Sequence, residues 1–231
     1  MPRARSRTQD DWQTAADAQD ASGCLSFYIL PPLSVLLIAC LLTLFALNIP
    51  TQAVASAPNT SGTSPSALSP IFTREVQHWG GDITRWANAS SLDPNLVAVI
   101  MQIESCGDPR ALSRAGAMGL FQVMPFHFHF GENPYNPETN ALRGLNYLSR
   151  SLNTGNNNVR LALAGYNGGI GVISRSEWTW SAETKRYIRY GVPIYEDARS
   201  GATTSTALNE WYQKYGVSLC QQASRRLGLL P

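Results

Sequence analysis

Apolar and polar positions follow three different rhythms along this 231-residue chain. Residues 25–49, LSFYILPPLSVLLIACLLTLFALNI, form an apolar run without one charged side chain. A helix needs about 20 such residues to cross a bilayer, so the run predicts a transmembrane segment, tightest from Leu33 to Ile49. Residues 50–70 are rich in Ser, Thr, Pro and Ala, with no charge and little to bury, which predicts a flexible linker. From Ser69 onward the spacing is helical, and no stretch sustains strand alternation. The pattern predicts a tail over 1–24, a membrane segment over 25–49, a linker over 50–70 and a mostly α domain over 71–231.

Within that domain, Ile71 to Trp79 and Asp82 to Ala89 are short amphipathic pieces, with Val76, Trp79, Ile83, Trp86 and Ala87 as candidate core. Asp93 is a good N-cap and Pro94 suits the first helical position, so a helix starts there. Leu96, Val97, Val99, Ile100 and Ile103 form its apolar stripe, and Glu104 falls between the directions of Ile100 and Val97. Asn136-Pro137 repeats the start, followed by Leu142, Leu145, Leu148 and Leu152 facing the core. A further helix ends at Gly168-Gly169, presenting Tyr166 and Asn167 at its terminus. Ser181 to Tyr190 reads as a short helix with Glu183 and Tyr187 on one face, and Ala207 to Leu227 as one or two terminal helices.

Charge changes this picture only at the front. The net charge is +2, and the Lys and Arg residues form no basic stripe, which argues against a nucleic-acid partner. Arg3, Arg5 and Arg7 precede the apolar run and no Lys or Arg follows until Arg74, so the N-terminus is expected in the cytoplasm and the domain outside a bacterial cell membrane. Two processing alternatives stay open. Ala53-Val54-Ala55 and Ala55-Ser56-Ala57 resemble cleavage sites of a secreted protein, and Leu37 to Cys40 loosely resembles a lipoprotein box. In an exported domain Cys106 and Cys220 have the option of a disulfide, with two free thiols as the alternative. The few Cys and His show no metal-ligand spacing, so no metal and no cofactor is expected.

The candidate chemistry sits at Glu104. Burial of a carboxyl without a cation raises its pKa, as a general acid near neutral pH requires; a satisfied helix-end glutamate is the other reading. The turn-rich stretch Ala115 to Pro125 follows, where glycines allow close approach to a ligand and Gln122 offers an amide that donates and accepts. Phe126-His127-Phe128-His129-Phe130 reads as packing in preference to sugar stacking.

Four pieces stand in order: Ile103-Glu104-Ser105, Gly119-Leu120-Phe121-Gln122-Val123-Met124-Pro125, Ala164-Gly165-Tyr166-Asn167-Gly168-Gly169, and Glu183-Thr184-Lys185-Arg186-Tyr187. With them the chain resembles the catalytic domain of soluble lytic transglycosylases (SLT), related to goose-type lysozymes, over about residues 70–195. The resemblance implies a lysozyme-like fold and cleavage of the β-1,4 bond between N-acetylmuramic acid and N-acetylglucosamine in peptidoglycan. It implies Glu104 as the sole catalytic carboxylate, with Asp108 the nearest alternative, and Ser105 and Gln122 as sugar ligands. Tyr166 and Asn167 would position Glu104 and an acetamido group, Tyr187 would line the cleft, and Glu183 would be structural. Gly165 and Gly168 stand where alanine is common in that family, and Phe121 where methionine is common. A hydrolytic muramidase and a non-catalytic glycan-binding module are the competing readings.

Overall fold

The computed structural model describes residues 68–229; the apolar run at 25–49 and most of the linker lie outside the described residues. Among the described residues eight α-helices follow one another: α1 (Arg74–His78), α2 (Gly80–Ala89), α3 (Pro94–Glu104), α4 (Pro137–Thr154), α5 (Val159–Gly168), α6 (Ala182–Arg199), α7 (Thr206–Trp211) and α8 (Val217–Leu227). Among the described residues the only strand-like pairing is a pair of isolated bridges, Leu112 with Met118 and Met118 with Val123. None of the described helices is long and apolar enough to cross a membrane.

The core is organised on α3. Asp93 Oδ1 accepts the Asn95 N–H at 2.8 Å and Pro94 opens the helix, which fixes its start. The Tyr195 hydroxyl donates to the other Asp93 oxygen at 2.8 Å and ties that start to α6. Every residue from Leu96 to Gln102 is buried, so α3 is enclosed all round and not along one stripe. The reason lies outside the helix: α1, α2 and α6 all pack on it. Gln102, on the face away from the stripe, accepts the Thr73 N–H through its side-chain oxygen at 3.1 Å. A Cys106–Cys220 disulfide joins the turn after α3 to α8.

Several boundaries differ from those expected. The packed domain starts by Leu68, since Leu68 and Ser69 are buried and the Ser69 N–H donates to Asn95 Oδ1 at 3.0 Å. On α4 the core face is Ala141, Gly144, Leu145 and Leu148, which leaves Leu142 exposed on the flank. Helix α6 continues nine residues past Tyr190 and through Pro193, because Ile194, Tyr195 and Ala198 are buried on its inner side. Between α7 and α8 the chain forms a wide π-helical turn, Tyr212–Gly216.

Candidate active site

Glu104 is the last residue of α3, and the chain leaves it sharply. Cys106 and Gly107 take φ values of +51° and +84°, and a Cβ on Gly107 would lie 2.8 Å from the Glu75 carbonyl, so this turn needs glycine. Ser105 closes the turn from inside. Its hydroxyl is fully buried, donates to the Leu120 carbonyl at 2.7 Å and accepts the Gly107 N–H at 3.1 Å. Ser105 therefore braces Glu104 against the Gly-rich loop, and it lines neither of the two cavities that Glu104 and Gln122 border. Both functions of the hydroxyl are consumed within the protein.

The Glu104 carboxyl opens into a cavity of about 180 Å³ that also touches Asn167, Glu183, Arg186, Tyr187, Trp211 and Tyr215. Burial pushes the carboxyl up to about 8; the nearby Tyr187 hydroxyl opposes that rise and the Glu183 charge adds to it. The Tyr187 hydroxyl is buried beside Glu104 without completing a hydrogen bond among the described residues. Burial foremost, then the Glu104 charge, pushes the Tyr187 phenol well up, so it stays a donor. Glu183, expected to be structural, is exposed and lines this cavity. Asp108 does not: it is fully buried, accepting the Arg110 N–H at 2.9 Å and the Gln222 side-chain N–H at 2.6 Å.

The loop facing Glu104 is held by a residue with no signal in the sequence pattern. Asn140, buried on α4, accepts the Phe121 N–H at 2.8 Å and donates to the Met118 and Pro134 carbonyls at 2.8 and 2.9 Å. A Cβ on Gly119 would lie 2.4 Å from the Asn140 amide nitrogen, so this staple works only against glycine. Gln122 sits at a φ of +46°, uncommon for a side-chain-bearing residue. Its amide nitrogen donates to the Gly119 and Ala111 carbonyls at 3.0 and 3.2 Å, which offsets the strain and leaves its amide oxygen as the open group.

Gln122 lines a second cavity, about 330 Å³, with Met124, Phe126, His127, Tyr147 and Tyr166. Asn167 borders both cavities. Its side-chain oxygen accepts from Thr184 Oγ1 at 2.9 Å, and Thr184 is itself fixed by Ser181, which caps α6. This directs the Asn167 amide hydrogens away from Thr184. The Tyr166 hydroxyl donates to the Phe121 carbonyl at 2.8 Å, tying α5 to the loop; burial foremost raises its pKa well above the usual phenol value. The two glycines where alanine was expected are sterically filled. A Cβ would come within 2.6 Å of Ile173 Cδ1 at Gly165 and 2.7 Å of Thr184 Oγ1 at Gly168.

The aromatic run after Pro125 divides. Phe128 packs against the core, but Phe126 is 74% exposed on the rim of the second cavity, and His127 lies between it and Tyr147 with ring centroids 4.5 and 4.7 Å apart and the rings tilted by 52° and 50°. Packing thus describes Phe128 and not Phe126. As for metals, Glu75, Cys106 and Cys220 are the close group of ligand types among the described residues, and the disulfide occupies both sulfurs.

Residues 82–188, which carry Glu104, Gln122, Asn167 and Tyr187, match the family described as Transglycosylase SLT domain. Over this stretch the chain is similar to the SLT family. The chain is similar to a transglycosylase of Enterobacteria phage PRD1, 40% identical over 99 residues, covering 42% of this chain and 35% of that protein. It is also similar to the endo-type membrane-bound lytic murein transglycosylase A of Klebsiella pneumoniae strains ATCC 700721 / MGH 78578 and 342, 29% identical over 102 residues in each case. Those matches cover 38% of this chain and 49% of each Klebsiella protein, so the chain spans half or less of the relatives it matches. The α7 to α8 region lies beyond the matched residues although it lines the Glu104 cavity.

Proposed function

We propose that this protein is a lytic transglycosylase of lysozyme-like architecture, cleaving the β-1,4 bond between N-acetylmuramic acid and N-acetylglucosamine in peptidoglycan strands. The observation that carries the reading is Glu104, a carboxyl in a cleft whose pKa is raised to about 8 by burial, hence protonated at neutral pH.

Glu104 first gives its proton to the glycosidic oxygen as the bond to the anomeric carbon breaks. The resulting carboxylate then takes the proton of the muramyl 6-hydroxyl, whose oxygen bonds to that carbon, so a 1,6-anhydro ring forms and no water is consumed. Tyr187 is suited to donate to the carboxylate between the two steps. The Asn167 amide hydrogens and the Gln122 amide oxygen suit an acetamido carbonyl and a sugar hydroxyl, and Tyr166 holds the loop in position. The role in cell-wall remodelling belongs to this proposal. So does a membrane-anchored, extracytoplasmic placement, which rests on the apolar run at 25–49.

One observation favours a hydrolytic second reading. Glu183 borders the same cavity, and a second carboxylate is what an enzyme needs to activate water. Digesting purified peptidoglycan and weighing the products by mass spectrometry separates the two: anhydro ends support the transglycosylase, reducing ends the muramidase. Glu104→Gln is expected to abolish cleavage while leaving binding, and undiminished digestion by that variant sinks both.

A further inference from the structure

We propose that the C-terminal extension adds a saccharide subsite to the Glu104 cleft, with the ring of Tyr215 as its platform for an N-acetylated amino sugar. The inference rests on the glycan reading above, and its platform, Tyr215, lies outside the SLT match, which includes its neighbour Arg186.

Trp211, Tyr215 and Leu219 stand four residues apart through the turn between α7 and α8, and all three line the cavity that holds Glu104. They differ in exposure. Trp211 is 4% exposed and serves as wall, whereas Tyr215 is 49% exposed where it lines the cavity. That ring is held in place. The Arg186 guanidinium lies 5.3 Å from its centroid and Tyr190 meets it edge-on at 5.8 Å. The Tyr190 hydroxyl in turn donates to Glu210 at 3.2 Å.

Sugars present a C–H face that stacks on an aromatic ring and a rim of hydroxyl and acetamido groups that takes hydrogen bonds. Tyr215 offers the ring. Arg186 borders the same cavity and makes no hydrogen bond among the described residues, so its donors are open to acetamido or hydroxyl oxygens. The wall that carries the platform is rigid on three counts. The disulfide fixes Cys220, Gln222 donates to buried Asp108, and Gly216 meets the Trp211 ring so closely that a Cβ would lie 2.6 Å from it. A merely packed surface tyrosine needs neither a cavity in front of it nor a braced support behind.

The test uses the full-length chain with Glu104→Gln, which binds without cleaving, titrated with tetra-N-acetylchitotetraose and with purified uncross-linked glycan strands by calorimetry. Adding Tyr215→Ala or Tyr215→Leu is expected to weaken binding about three- to tenfold, while Tyr215→Phe retains the parent affinity. Tyr215→Leu keeps apolar volume and guards against lost packing, and thermal midpoints report the fold of each variant. Parent-like affinity in the Ala and Leu variants overturns the proposal. Binding as weak in the Phe variant as in Ala also overturns it, because the hydroxyl and not the ring would then matter. A parent that binds neither probe overturns the glycan reading itself, an outcome distinct from failure at Tyr215.

Discussion

At the residue scale, Glu183 helps to set the chemistry of Glu104. With its carboxyl raised to about 8, Glu104 holds its proton at neutral pH and loses it as the pH rises through that value. Acid-dependent cleavage is therefore expected to fall across about pH 8. The Glu183 charge contributes to that raised value, so Glu183→Gln makes Glu104 easier to ionise and moves the alkaline limb to lower pH. A pH–rate profile on peptidoglycan, run for both proteins, checks this; an unmoved limb separates the two carboxyls. The position of Glu104 on an inward-facing stripe was readable from helical spacing. The direction of Ser105 was not, because one residue beyond the helix the chain turns at Cys106 and Gly107, and that turn points the hydroxyl inward.

The decisive feature among the elements is the staple between α4 and the Gly119 to Val123 loop. Asn140→Ala leaves the Phe121 N–H and the Pro134 carbonyl without their side-chain partner and the Met118 carbonyl with the Val123 N–H alone, at a cost of roughly 2–4 kcal/mol. Urea unfolding is expected to show that loss, and cleavage to fall further as Gln122 loses its fixed loop. Local signals foretold where elements begin: Asp93-Pro94 and Asn136-Pro137 each carry their own cap. They did not foretell Asn140, since a polar residue at a core position of an amphipathic helix looks like any break in the pattern. Nor did they foretell the length of α6, where burial of Ile194, Tyr195 and Ala198 carries the helix past Pro193. Phe126 was misjudged for a related reason, since an aromatic run does not say which member meets the core and which the rim.

For the whole described domain, one covalent tie closes residues 106–220 into a loop that begins two residues after Glu104. Cys106 and Cys220 are 114 residues apart, and a cross-link of that span restricts the unfolded chain by about 4–5 kcal/mol on the loop-entropy account. Reduction, or Cys220→Ser, is expected to lower stability on that scale; guanidinium unfolding with and without dithiothreitol measures it. The pairing of Cys106 with Cys220 was an option read from the expected export of the domain, and their approach depends on α1, α3 and α8 meeting, which no local spacing encodes.

The wide turn at Tyr212–Gly216 also sets a phase. Each residue advances a helix by about 100°, so deleting one here would rotate all of α8 by that much relative to α7. Leu219 would swing off the cavity and Cys220 would face away from Cys106. The reading frame of this last helix, counted in single residues, thus links cleft shape to cross-linking: a change of length in five residues alters both at once, whereas most exchanges of side chain alter only one.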